Sequence, residues 1–196
     1  HISGRRSDQS GDRIFLLGVF VLSLFFFNLT ITTLLFAVGV PISSINLPIA
    51  VLSSTAVCFF LSRRSIKRTI EIFSCAMLLL AITALLSGLV FDWSWDGNQY
   101  HKSITGALKW GWNPLHETFY DFARDIPFLS HITQTWYDAY PKLTEIWAAS
   151  LYAITNNIET GKCFNLLGLA ALFCICYAVL IETGAFRKSQ IAICSF

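Results

Sequence analysis

The chain has 196 residues, of which 55% are hydrophobic and only 13% charged. A soluble domain carries about 25% charged residues, so this composition excludes an ordinary soluble domain. The formal net charge is +2. Lys and Arg gather at Arg5, Arg6 and Arg13, at Arg63, Arg64, Lys67 and Arg68, and at Arg187 and Lys188; this placement marks loops between apolar segments and not a nucleic-acid surface.

Residues 1–13 read as a cytoplasmic segment. A spanning helix needs about 20 apolar residues, and the first such run is Ile14–Val40. A second runs from Ile45 to Ser62, with Pro48 in its first turn, where the missing N–H costs little. A third runs from Ile70 to Phe91, so residues 14–91 are expected to hold three membrane helices. A fourth run covers Cys163–Ile181, and a fifth starts at Ile191 within the segment 163–196. The chain begins at His1 and ends inside that last apolar run, as an incomplete chain would.

Basic residues of short loops face the cytoplasm. The loop 41–46 has none, and Arg63–Arg68 has four in six residues. The alternation places the N-terminus, the 63–68 loop and Arg187–Lys188 inside, and the segment 92–162 outside. The expected class is therefore an all-α polytopic membrane protein with about four transmembrane helices, the start of a fifth and one large extracytoplasmic loop.

That loop holds all six Trp of the chain, five of its six Tyr and three of its four His, with eight acidic and five basic residues. Trp and Tyr favour the membrane–water interface, so Trp110, Trp112, Trp136 and Trp147 read as an aromatic belt. Ile104, Ala107, Leu108 and Gly111 recur at helical spacing up to a break at Asn113-Pro114. Leu115, Phe119, Phe122 and Ala123 suggest a second short helix, and Pro141 opens a third carrying Ile146, Ala149, Leu151 and Tyr152. These helices are expected to lie along the membrane surface.

Most of the chemistry lies in Asp92-Trp93-Ser94-Trp95-Asp96-Gly97-Asn98-Gln99-Tyr100-His101, where the chain leaves its third apolar run. Asp92 and Asp96 are four apart, and Gly97 predicts a turn that aims Asp96 back at the bilayer. Carboxylates at a low-dielectric boundary have raised pKa values and serve as general bases. A hydrogen-bonded turn that tethers the loop accounts for the same residues. The other candidate motifs are weak. The six cysteines avoid 92–162 and read as small apolar residues. His101, His116 and His131 are 15 apart, which is no metal-ligand spacing. Asn28-Leu29-Thr30 matches a glycosylation acceptor but lies inside a span.

The run from Asp92 to His101, followed by Ala107-Leu108-Lys109-Trp110-Gly111-Trp112-Asn113-Pro114, resembles a pattern in bacterial glycosyltransferases of the GT-C superfamily. So do Tyr140-Pro141-Lys142, Ala148–Tyr152 and Asn157–Lys162. The resemblance covers roughly residues 85–170 and corresponds to the front part of such a protein. It implies a bacterial inner-membrane enzyme that moves a sugar from a polyprenyl-phosphate carrier on the extracytoplasmic side. The catalytic carboxylate falls on Asp92 or Asp96. Trp93, Trp95 and Tyr100 are expected to stack on the sugar, with His101, Lys102 and Lys142 near the phosphate. The resemblance allows a divalent metal but fixes no cofactor. Its acidic loop ordinarily follows the first helix, whereas three apolar runs precede it here. The competing expectation is a non-catalytic subunit that packs against other membrane proteins.

Overall fold

The computed structural model describes residues 3–124, 126, 136–139 and 142–183. Among these every regular element is helical and none is a strand. The order is α1 (Ser3–Ala37), α2 (Asn46–Leu61), α3 (Ile66–Gly88), a π turn (Gly97–His101), α4 (Lys102–Lys109), α5 (Phe119–Ala123), α6 (Trp136–Ala139), α7 (Leu143–Thr155), a 3-10 turn (Ile158–Lys162) and α8 (Cys163–Glu182). The expected fifth run, His131, Pro141 and the pair Arg187–Lys188 lie outside the described residues.

Three segments are long and apolar enough to cross a membrane: Gly11–Ala37, Ile66–Gly88 and Ile158–Glu182. They mark an integral membrane protein. α2 is apolar but has only 16 residues, about 24 Å at 1.5 Å per residue, against a hydrocarbon core of about 30 Å.

Helix ends follow local capping. α3 starts at Ile66, four residues before the apolar run, because the Ser65 hydroxyl accepts the Arg68 N–H at 3.4 Å. α2 ends in a Schellman turn: Arg64 N–H donates to Phe59 O at 2.9 Å and Arg63 N–H to Phe60 O at 3.2 Å. This turn usually carries glycine, yet Arg63 and Arg64 sit there with φ of 58° and 61°. Left-handed backbone costs a side-chain-bearing residue about 1–2 kcal/mol.

The helix directions are fixed by contacts at both ends. Arg13 pairs with Glu71, and Arg68 with Asp12, each at 3.1 Å, so α1 and α3 run parallel from a common basic end. α2 runs back along α1. Asn46 Nδ2 donates to Thr32 Oγ1 at 3.0 Å, and Cys58, near the other end of α2, packs with Leu16 and Phe20. α8 is antiparallel to α1, with Phe164 tilted against Phe25 at 4.4 Å between ring centroids and Ala171 beside Gly18. Asn28 is buried within this bundle.

The segment between α3 and α8 folds onto the far end of α1. Asn113 Nδ2 donates to the Phe36 carbonyl at 2.8 Å, and His116 Nε2 lies 2.9 Å from the same oxygen, which satisfies a helix-end carbonyl. Phe36 and Ile42 join Tyr100, Ile104, Leu108, Trp112, Phe119, Tyr137 and Ile146 in one buried cluster. The helical texture of this segment matches expectation, but its boundaries move. α4 stops at Lys109 instead of running to Asn113-Pro114, because Gly111 turns the chain at φ +111°. α5 begins only at Phe119, where the Thr118 hydroxyl accepts the Asp121 N–H, and Leu115 stays outside it.

The aromatic belt needs a larger correction. Trp112 and Trp147 are 0% and 1% exposed and are core residues. Trp112 meets Phe119 edge-on at 5.2 Å and donates its indole N–H to the Glu117 carbonyl. Trp147 meets Phe25 edge-on at 4.8 Å, seating α7 against the bundle. Trp110 is half exposed, as a belt residue would be. The Trp136 side chain lies outside the described residues.

Candidate functional site

The site is built where α3 ends and α8 begins. The chain leaves α3 through exposed Leu89, Val90 and Phe91 and then folds back at Asp92. The Ser94 N–H donates to Asp92 Oδ1 at 2.9 Å, and the Gly97 N–H donates to Ser94 Oγ at 2.9 Å. A Cβ on Gly97 would lie 2.0 Å from Asp92 Oδ2, so only glycine lets this carboxylate lie over the start of the π turn. Gly97 thus opens a helical turn, and the residue folded back beside it is Asp92. Asp96 remains exposed and caps nothing with its side chain.

The π turn and α4 carry His101 and Lys102. The His101 Nδ1 lies 2.7 Å from Glu145 Oε1 of α7. Glu145 is 2% exposed, whereas the His101 side chain is 53% exposed. Glu145 Oε2 accepts the Thr144 hydroxyl at 2.9 Å. The buried carboxylate therefore orients the ring, and in the neutral tautomer whose Nδ1–H donates to it, Nε2 is the proton acceptor.

Lys102 and Lys162 share one carboxylate. Glu159 Oε1 lies 2.5 Å from Lys102 Nζ, and Oε2 lies 2.8 Å from Lys162 Nζ. Oε2 also accepts the Asp92 N–H at 3.3 Å. Lys102 donates further to Asn98 Oδ1 and to the Asp92 carbonyl, and lies over the Phe91 ring at 3.9 Å. Lys162 donates to the Val90 carbonyl. Lys102 thereby uses all three of its ammonium N–H groups, while Lys162 uses two among the described residues. The two lysines bind the carbonyls just past α3, where cations are favoured, and Glu159 ties them to the start of α8.

These groups surround one pocket of about 260 Å³. Of the residues expected from sequence, Asp92, His101 and Lys102 line it together. Asp96, Trp93, Trp95, Tyr100 and Lys142 do not. Trp93 and Trp95 are 87% and 67% exposed and stand outside the pocket. Tyr100 is buried and stacks on Tyr137 at 5.5 Å. Lys142 lies 5.9 Å over Trp112, and burial pushes its pKa down. Glu145, Glu159 and Lys162 also line the pocket; the sequence reading gives them no site role, although Glu159 and Lys162 belong to the Asn157–Lys162 run that carries the resemblance. The available signal was their position: a carboxylate beside Ile146-Trp147-Ala148, and an i,i+3 acid–base pair opening an apolar run.

The electrostatics of Asp92 also differ from expectation. Hydrogen bonds from Ser94, backbone first and then side chain, hold its carboxyl below the ordinary value, where a raised pKa was expected. An Asx turn stabilises the ionised form. Among the described residues no three His, Cys, Asp or Glu side chains converge on a point that would hold a metal ion. Comparison with family models, with curated proteins and with solved structures returns no match for this chain.

Proposed function

We propose that this chain acts at the outer membrane surface as a glycosyltransferase-like protein, moving a sugar from a polyprenyl-phosphate carrier to an acceptor hydroxyl. One observation carries the reading. A histidine backed by a buried carboxylate shares a 260 Å³ pocket with two lysines, beside the exposed apolar exit Leu89–Phe91. Ligand pockets commonly run from about 300 Å³ upward, so this one suits a single sugar headgroup.

In this reaction His101 Nε2 takes the acceptor hydroxyl proton as that oxygen attacks the anomeric carbon. The bond from that carbon to the phosphate oxygen breaks, and polyprenyl phosphate leaves with the electron pair. Lys162, with two partners among the described residues, faces the developing phosphate charge. Asp92 holds the turn that presents His101. The base role moves from Asp92 or Asp96 to His101 because Asp92 is already stabilised as an anion and Asp96 lies outside the pocket. Transfer of labelled sugar by the reconstituted chain tests the reading; transfer no faster than in empty liposomes contradicts it.

The same reading has four membrane crossings, an inner-membrane setting and a cytoplasmic N-terminus. The parallel course of α1 and α3 supports a return crossing between them, and α2 is the apolar helix available. Local bilayer thinning accommodates a short span at a cost of a fraction of a kcal/mol per Å. Cysteine introduced at Ser65 is then expected to react with an impermeant maleimide only from the cytoplasmic side, and cysteine at Ser94 only from the outside. Labelling of both from one side would refute the topology.

A second reading, a non-catalytic subunit of a membrane assembly, is favoured by the Glu159 clamp. It commits Lys102 fully to holding α3 and α8 together, and it leaves Trp93 and Trp95 as an exposed aromatic edge for a neighbouring subunit.

A further inference from the structure

The opposite, basic end of the bundle holds a second cavity, of about 360 Å³. Arg13, Arg63, Lys67 and Arg68 line it against one carboxylate, Glu71. Arg13 is already paired with Glu71, and Arg68 with Asp12. Arg63 and Lys67 are exposed, and neither has an ion-pair partner among the described residues. Arg68 Nε is buried without a hydrogen-bond partner among them.

An apolar groove of about 340 Å³ adjoins this cavity between α2 and α3, lined by Leu52, Phe59, Ile66 and Ile70. The two meet at Ser62 and Thr69, whose hydroxyls are 2.9 Å apart; Ser62 lines the cavity and Thr69 the groove. Leu52, Ile66 and Ile70 all stand exposed. Arg63 and Arg64 both hold left-handed backbone at the turn that closes α2; Arg63 lines the cavity and Arg64 does not.

We infer that this end of the molecule binds one anionic phospholipid, with its phosphate among Arg63, Lys67 and Arg68 and one acyl chain along the α2–α3 groove. A cationic cavity joined to an apolar channel matches the two halves of such a lipid. The inference is independent of the outer pocket and rests only on the chain's being a membrane protein.

The test uses the full chain in detergent, titrated with phosphatidylglycerol or with phosphatidylcholine of identical acyl chains and read by native mass spectrometry. One phosphatidylglycerol should bind at least about ten-fold more tightly than phosphatidylcholine. Arg63→Gly should weaken it about five-fold, and Arg63→Gly with Lys67→Gln about 25-fold. Glycine suits the backbone at position 63, so this variant keeps its fold. Arg64→Gln, which removes the neighbouring charge outside the cavity, should leave affinity within about two-fold. Equal binding of the two lipids, or equal loss from Arg64→Gln and Arg63→Gly, would overturn the site in favour of general charge attraction. Displacement of phosphatidylglycerol by an equal concentration of inorganic phosphate would show a free-anion site and overturn the lipid assignment.

Discussion

Glu159→Ala is expected to destabilise the protein by about 3 kcal/mol. Its carboxylate is the shared partner of two ammonium groups, at 2.5 and 2.8 Å, and its side chain is only 9% exposed, against 18% and 30% for Lys102 and Lys162. Removing one member of a buried pair costs about 3–5 kcal/mol, because the remaining charge is left uncompensated. The partial exposure of the lysines argues for the lower end of that range. Here two like charges would also face each other, and the Asp92 N–H would lose its acceptor. Thermal unfolding followed by circular dichroism should show Tm lowered by roughly 6–12 °C. Adding Lys162→Met should recover part of the loss, since the repulsion goes with the charge. A shift in Tm within about 2 °C for Glu159→Ala would show that the clamp contributes nothing to stability.

The largest effect on activity is expected at His101. Loss of a general base lowers rates about 100- to 10,000-fold, and His101→Gln should fall in that range for sugar transfer while leaving expression unchanged. Glu145→Gln should give a smaller loss, because it alters the orientation and tautomer of the ring and not the base itself. Asp96→Asn should leave transfer unchanged.

Asp92→Asn tests the alternative base, and pH separates the two roles. Ser94 holds the Asp92 pKa below the ordinary carboxylate value. A depressed folded-state pKa contributes stability that is present above the ordinary Asp value of about 3.9 and is lost as pH falls through the depressed value. Asp92 therefore stays ionised at every pH from neutral down to the acid range. If Asp92 were the base, the transfer rate would stay flat until pH fell below about 4. A rate that is insensitive to Asp92→Asn and lost in His101→Gln assigns the base to His101.

Hydropathy alone located α1, α3 and α8, because a spanning helix is written in one contiguous run. It also located α2, expected over Ile45–Ser62, which forms Asn46–Leu61 and closes in a Schellman turn at 16 residues, short of the ordinary spanning length. The contiguous stretch Asp92–Lys102 was legible as a site for the same reason. Glu145 and Glu159 were not, since they reach it from 44 and 57 residues beyond His101 and Lys102 through the packing of α7 and the 3-10 turn. Composition could not separate an interfacial Trp from a core Trp, and Trp112 and Trp147 proved to be core. Tyr100 failed as a sugar contact for a related reason: its ring is stacked inside the cluster around Tyr137. The sign of the Asp92 shift comes first from hydrogen bonds of Ser94, backbone and then side chain, local bonds that the Asp-x-Ser spacing implies but that a boundary argument overlooks.

Photocrosslinking tests the central claim most directly. The reconstituted chain would be irradiated with polyprenyl phosphate carrying a diazirine on the prenyl unit nearest the phosphate, and the labelled residues identified by peptide mass spectrometry. The proposal predicts labels confined to residues 89–102 and 158–165, removed by excess unlabelled polyprenyl phosphate. Labels spread evenly along the lipid-facing helices, or unaffected by competitor, would contradict a carrier-binding role for the outer pocket.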